Sequence, residues 1–497
     1  MSVGAGTSGE TTEPAVGAAH EVRRTRLGAG LLGLYGSGAA VENVINFALG
    51  QFLLFYLTIV CGLPGVLAGL VGLVSLVIDA CIDPMIGSWS DNLRSPLGRR
   101  HPFLILSCIP ASLALVALFS VPSGLSGWGL FAYATALSLA LRIALSCFQV
   151  PYYALGAELS EDYVERSTVV AVRVAVAVIA TVAATILSYQ LFLSGSGGTT
   201  HRASYIPLAW SLAVIVIGAG LLSGFGTLGA RGRLHGPPMA GGSSLERLVA
   251  EVREIFKSAS FRTLFAGVLL FFVASGVSTS LTLYANTYFW KLSTAQIGIL
   301  TLIFTAGSAV GIVLTGVLSR RMEKRTLAMA GLSMMVLSQF VPAPLRVVGL
   351  LPTEADVMIV LTIAVILLGV GVSAAVIGYQ SMMADASDEH EHLFGARREG
   401  LYFAGVNFSA KASGGLGVLV AGVVLDLIGF PHGGATGHPI AIGARAVREL
   451  GLIYGPGAAF VSLGSVLVLL TYRLNRARHA AVLGALGRGP IPVASRA

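Results

Sequence analysis

Charge is scarce in this 497-residue chain: only 11% of its residues are Asp, Glu, Lys or Arg, against 55% hydrophobic, at a mean hydropathy of +0.81. So little polar surface excludes a soluble globular protein, which would have almost nothing to turn toward water. Cysteine is scarce too. Cys61, Cys81, Cys108 and Cys147 stand apart in apolar surroundings without paired spacing, which argues against a disulfide framework or a cysteine metal site. No metal-ligand spacing recurs, and "SGVST" and the scattered serines and histidines offer no ordered nucleophile, base and orienter, so neither an enzyme nor a cofactor is expected. No basic cluster is interleaved with aromatics, which sets nucleic acid aside. The first 26 residues are rich in Gly, Ser and Thr, and their Glu10, Glu13 and Glu21 do not suit a signal peptide; a disordered tail is expected there.

Long apolar runs are what the chain has in abundance. A membrane-crossing helix needs about 20 residues for roughly 30 Å of hydrocarbon. Runs of that kind lie at 28 to 56, 63 to 88, 102 to 121, 127 to 157, 168 to 193, 205 to 226, 263 to 289, 295 to 318, 326 to 344, 357 to 382, 402 to 428 and 454 to 472. The alternating short strands of a membrane barrel are missing from the pattern. The expected fold is an all-α integral membrane protein with twelve transmembrane helices in two six-helix halves. The longest connection carries "GARGRLHGPPMAGGSS" and then the amphipathic "LERLVAEVREIFKSASFR", a loop followed by a surface helix. The expected domains are a cytoplasmic tail at 1–26, a first half at 27–226, a cytoplasmic linker at 227–262, a second half at 263–473 and a cytoplasmic C-terminal tail at 474–497.

With the N-terminus inside, the loops on that side hold Arg94, Arg99, Arg100, Arg231, Arg233, Arg320, Arg321, Lys324, Arg325, Arg397 and Arg398. The opposite loops hold Arg202, Lys291, Arg346, Arg445 and Arg448. Basic residues mark the cytoplasmic side, so both termini are expected there, in a plasma membrane or the inner membrane of a Gram-negative cell. The net charge of +8 then reads as an orientation signal and an attraction to anionic lipid. A weak repeat joins the halves: "GSWSDNLRSPLGRR" follows the second span and "GVLSRRMEKR" the eighth, each with glycine at a helix end and a turn dense in basic residues. Orientation alone also collects arginine in such loops; the other reading is a transporter of repeated halves with its site near the midplane.

Charges at membrane depth cost at least about 2.5 kcal/mol each on insertion scales and are expected to face a cavity or a partner. They are few: Glu42 beside Asn43, Asp79 and Asp83, Arg142 and Gln149, Arg173, and Lys411. Asp79 and Asp83, at i and i+4, share one helix face. Two close carboxylates do not both ionise cheaply unless a cation sits between them, which points to an ion or proton site. Lys411 lies about ten residues inside its span, roughly 15 Å deep, near the depth of Asp79. Helix-to-helix ion pairs that hold a bundle together are the competing explanation.

Three ordered stretches, "DACIDPMIGSWSDNLRSPLGRRHPFL", "VPYYALGAELSEDYVERSTVVAVR" and "MMADASDEHEHLFGARREGLYFAGVNFSAKASGG", resemble signatures of the glycoside-pentoside-hexuronide:cation symporters of the major facilitator superfamily. With "LYGSGAAVENVINFALGQFLLFYLTIVCGLP" the resemblance covers nearly the whole chain. It implies cation binding at Asp79 and Asp83, and substrate binding at Asn43, Gln149, Tyr153, Arg173, Asn407 and Lys411. Glu42 and Arg142 remain as gating or structural charges. Asp91, Arg94, Arg99 and Arg100 lie beyond a helix end, where charge pairs can latch neighbouring helices in one state. Asp385 belongs to "ADASDEHEH" and Arg397 to the basic pair after it, read either as the second half's latch or as a solvated loop.

Two departures stand out. The asparagine before the second aspartate in the family's sodium-using melibiose permease is Ile82 here, which removes an oxygen that a hard cation would want. Acids of the family's sugar site fall on Asn43 and Gln149, which keep hydrogen bonding with less negative charge. The function implied is secondary active transport, a proton- or sodium-coupled symport of a sugar or glycoside by alternating access. Transport of an amphiphile such as a lysophospholipid and uncoupled facilitation are the alternatives. The expected partners are that small molecule and membrane lipid, with H+ or Na+ as the coupling ion and a monomeric state.

Overall fold

Inside hydrocarbon a backbone has no water to bond with, so each apolar run must satisfy its own N–H and C=O groups by coiling into helix. A computed structural model describes residues 27–160, 162–195, 197–233, 253–396, 398–433 and 442–488; among them every regular element is helical. The expected tail at 1–26 and most of the linker, 234–252, lie outside the described residues. Eleven helices among those described are long and apolar enough to cross a membrane.

The first run is segmented into α1 (Ala29–Ser37) and α2 (Ala39–Ala48), continued by π-helical turns at Leu49–Leu53 and Tyr56–Val60. It breaks at Gly38, where any Cβ would collide with the Tyr152 ring, so the first of the twelve expected spans is not one regular helix. The rest of the first half is α3 (Gly65–Asn92), α4 (His101–Leu118), α5 (Gly127–Glu158), α6 (Tyr163–Ile186) and α7 (Arg202–Gly226). The second half holds α8 (Ala259–Tyr284), α9 (Thr294–Leu318), α10 (Lys324–Phe340), the short α11 (Pro342–Val347), α12 (Glu354–Phe394), α13 (Glu399–Leu427), α14 (Ala444–Leu452) and α15 (Ala458–Leu470). The halves echo each other, since α8 also runs into a π-helical turn, Ala285–Phe289.

The end of α12 differs from the sequence reading. α12 starts at a capping box formed by Thr353 and Asp356 and runs 41 residues, roughly 60 Å, to a left-handed Gly395 with φ 76°. The acidic "ADASDEHEH" is therefore helix and not loop. Its carboxylates are held by basic groups: Lys324 on Asp385 at 2.7 Å, His479 on Asp388 at 3.1 Å, Arg478 on Glu389 at 3.1 Å and Arg488 on Glu391 at 2.8 Å. The last three belong to the C-terminal tail, which folds as α16 (Arg476–Ala485) and its following turn against α12.

The turns at 93–100 and 319–323, together with Arg398, define a basic end of the bundle. At the other end the halves are sealed. The Asp426 carboxylate accepts the N–H groups of Gly65 at 2.8 Å and Val66 at 2.7 Å, capping α3 from the other half. The Thr58 hydroxyl lies 2.5 Å from Tyr284 Oη, and Gly433 N–H donates to the Thr58 carbonyl at 3.0 Å. From there α3 and α13 run side by side. A Cβ on Gly69 would come 2.8 Å from Leu419 Cα, and one on Gly72 2.7 Å from Val418 Cγ1, so absent side chains are what let the backbones approach. Nearer the basic end the halves turn inward on themselves: Gly87 neighbours Val150 and Gly405 neighbours Phe261.

Candidate substrate and coupling site

Helical periodicity places Arg142, Ser146, Gln149 and Tyr153 on one face of α5, at i, i+4, i+7 and i+11. Asp79 and Asp83 share a face of α3 at its midpoint. Lys411 of α13 meets both. Its Nζ is 2.8 Å from Asp79 Oδ2 and 2.5 Å from Asp83 Oδ2, an ion triad that joins the two halves at mid-depth. Ser146 donates to Asp79 Oδ1 at 2.5 Å. Both Asp79 oxygens are thus occupied and its side chain is 3% exposed, whereas Asp83 is 29% exposed and its buried Oδ1 has no partner. The open valence of the triad therefore lies on Asp83.

A second layer lies beside it. Gln149 donates to Glu42 Oε1 at 2.7 Å, Tyr153 Oη donates to Glu42 Oε2 at 2.5 Å, and the Arg173 guanidinium sits 4.5 Å over the Tyr153 ring. Glu42, expected as a gating or structural charge, is the acceptor around which this layer forms. Asn43, one residue on, points elsewhere and donates to the Ala39 carbonyl of its own helix at 2.8 Å. Arg142 donates to Asn46 at 3.0 Å, while its Nε is buried without a partner. Asn407 is exposed one turn before Lys411. Three acids, Asp79, Asp83 and Glu42, face three bases, Lys411, Arg142 and Arg173, so the cluster is electrically balanced when all six are charged. One further cation, or one proton, tips it positive.

Between this layer and the sealed end lies a cavity of ≈ 240 Å³ walled by both halves. At the basic end, Asp91 meets Arg100 at 3.2 Å, and Glu158 meets Arg100 at 2.7 Å and also pairs with Arg99. Burial pulls the Arg100 guanidinium below its ordinary range, and Glu158 and Asp91 push it back up. These pairs fasten the α3–α4 turn to the end of α5 within the first half. Lys324 and Asp385 do the corresponding work in the second half. Arg94 is exposed, and Arg397 lies outside the described residues.

A model of the MFS/sugar transport protein family matches residues 34–476. The chain belongs to that family. It is a membrane transporter and not an enzyme. An uncharacterized symporter of Synechocystis sp. is 25% identical, over 90% of this chain and 94% of its own. An isoprimeverose transporter of Lactiplantibacillus pentosus is 24% identical, over 87% and 86%. Among solved structures, a mutant form of the nucleoside transporter NupG shares the fold at a TM-score of 0.62 and 14% identity, covering 90% of this chain and 99% of that one. Within this transporter fold, sequence reasoning passed over Ser146, Glu158 and Asp426. Ser146 was available from periodicity, four residues after Arg142, and Glu158 from the "GAEL" of the second signature. Asp426 had no local signal, since its partners lie about 360 residues away.

Proposed function

We propose that the protein is a proton-coupled sugar symporter, oriented with its basic end in the cytoplasm and described here in a state closed to the outside. The observation that carries this reading is the Lys411 ammonium held between Asp79 and Asp83. It occupies the place that a coupling cation would take, and it is also a contact between the halves. A proton arriving on Asp83 removes one of the two charges that hold the lysine. The ammonium is then free to turn toward a substrate oxygen, and the contact between α3 and α13 loosens in the same step. Ion entry, substrate contact and the rocking of the halves are thereby linked through one side chain.

Ile82 supports the proton over sodium, because it supplies no oxygen and leaves Ser146 as the side-chain hydroxyl at the triad. Basic loops support the orientation. Gln149, Tyr153, Glu42 and Arg173 supply donors, acceptors and an aromatic face, which suit a neutral polyol better than an acyl chain. The test is uptake of radiolabelled sugars by proteoliposomes under an imposed proton gradient in sodium-free buffer, with external pH recorded. Accumulation with matching alkalinisation outside is expected. Accumulation driven by sodium at fixed pH without proton movement would overturn the coupling, and uptake of lysophosphatidylcholine with no sugar uptake would overturn the substrate class.

A further inference from the structure

The stretch "SGVST", which serves no nucleophile, lies on α8 at the cavity between the halves. Phe272, Ser275, Thr279 and Ser280 line that cavity from the second half, opposite Asn46 and Arg142 from the first. Hydroxyls on helices ordinarily bond back to a carbonyl three or four residues earlier, and many in this bundle do: Thr181, Thr185, Thr301, Thr305, Ser409 and the neighbouring Thr282 all donate to the i−4 carbonyl. Ser275, Thr279 and Ser280 make no such bond, and Ser275 Oγ is buried with no partner at all. Across the cavity the Arg142 Nε is likewise buried and unpartnered. Buried polar groups left open on both walls of one cavity, beside a Thr282 that is satisfied by its own helix, are groups kept for a ligand.

Resting on the sugar-symport reading, we propose that this cavity is the second half's share of the substrate site. It takes a single sugar ring whose hydroxyls bond Ser275, Thr279 and Ser280 on one side and Arg142 and Asn46 on the other, with Phe272 against an apolar face of the ring. The chemistry matches on each wall: hydroxyls both donate and accept, the guanidinium donates, and the Asn46 amide does both. At ≈ 240 Å³ the cavity has room for a sugar ring. Because the walls belong to different halves, an occupying ring bridges them, as Lys411 does one layer away.

Single cysteines replacing Ser275 and Thr279, in a background without the four native cysteines, give the direct test by maleimide labelling in membrane vesicles. Sugars that the protein transports are expected to protect both positions. Thr279→Val should raise the KM for uptake about tenfold, as loss of one hydrogen bond to substrate does. Thr279→Ser should restore it, and Thr282→Val, whose hydroxyl bonds the Ser278 carbonyl and Tyr454 and does not line the cavity, should leave it unchanged. Transport of sugar with no protection of the Ser275→Cys variant, and with Thr279→Val behaving like Thr282→Val, overturns this site while leaving sugar symport intact. If the wild type takes up no sugar and lysophosphatidylcholine protects the Ser275→Cys variant, the symport reading and the hydroxyl-binding role fall together.

Discussion

Lys411 is a single ammonium answering two carboxylates from the other half, and the consequences of removing it are unequal for the two. Asp79 is buried and keeps only Ser146, whereas Asp83 is nearer to water. Stripping one partner from a buried pair typically costs about 3–5 kcal/mol, so Lys411→Ala should lower the unfolding temperature in detergent and abolish gradient-driven accumulation. Lys411→Arg keeps the charge but presents a planar fork where a compact ammonium fits; it should recover most of the stability and little of the transport. Wild-type stability and accumulation in Lys411→Ala would reduce the lysine to an incidental surface charge. Ser146→Ala should have a smaller effect. It removes one hydrogen bond to a charged group, worth about 1.5–3 kcal/mol, and should move the pH dependence of counterflow without abolishing transport.

Elements meet at the α3–α13 seam, where closeness depends on what is missing. Gly69 and Gly72 admit Leu419 and Val418 because they have no Cβ, and Asp426 caps the α3 N-terminus across the same seam. A capping side chain contributes typically about 1 kcal/mol, about fivefold in an equilibrium. Asp426→Ala should therefore shift the population toward the state in which this sealed end is open to the outside. A single cysteine replacing Tyr284 reports it, by reacting severalfold faster with an impermeant maleimide added from outside; an unchanged rate would show that the cap does not hold the gate. Gly69→Leu should go further, wedging the helices apart and lowering stability. At the other end of α3, the Asp91, Arg100, Arg99 and Glu158 cluster ties helices of one half together.

For the whole molecule, the described helices form two groups joined tightly from the end opposite the basic loops to mid-depth. Alternating access then requires the seal at Thr58, Tyr284 and Gly433 to break once in every cycle. A cysteine pair replacing Thr58 and Tyr284, whose side chains meet only at the tip of the tyrosine, should stop transport when bridged by a short bifunctional thiosulfonate and regain it on reduction. Cross-linked protein that transports normally would mean that this contact need not open. The proposed orientation rests on the basic loops. A single cysteine replacing Gly198 should be labelled by an impermeant reagent from outside the cell, and labelling from the cytoplasmic side alone would invert the assignment.

Much of this was readable along the chain. Hydropathy and charge are summed over neighbouring residues, so the membrane class, the span positions, the buried charges and the shared face of Asp79 and Asp83 needed nothing beyond the local sequence. The end of α12 was not readable, because the acidic turns after Met383 are held as helix by basic groups from Lys324 and from the tail beyond Arg473. Nor was the choice between Glu42 and Asn43. Adjacent residues on a helix point about 100° apart, so a small rotation of α2 decides which one faces Gln149 and Tyr153 and which turns back on Ala39. The double grip on Lys411 belongs to the same class: its partners stand more than 320 residues away, and only the packing of the glycine seam between α3 and α13 fixes the register that brings them within bonding distance.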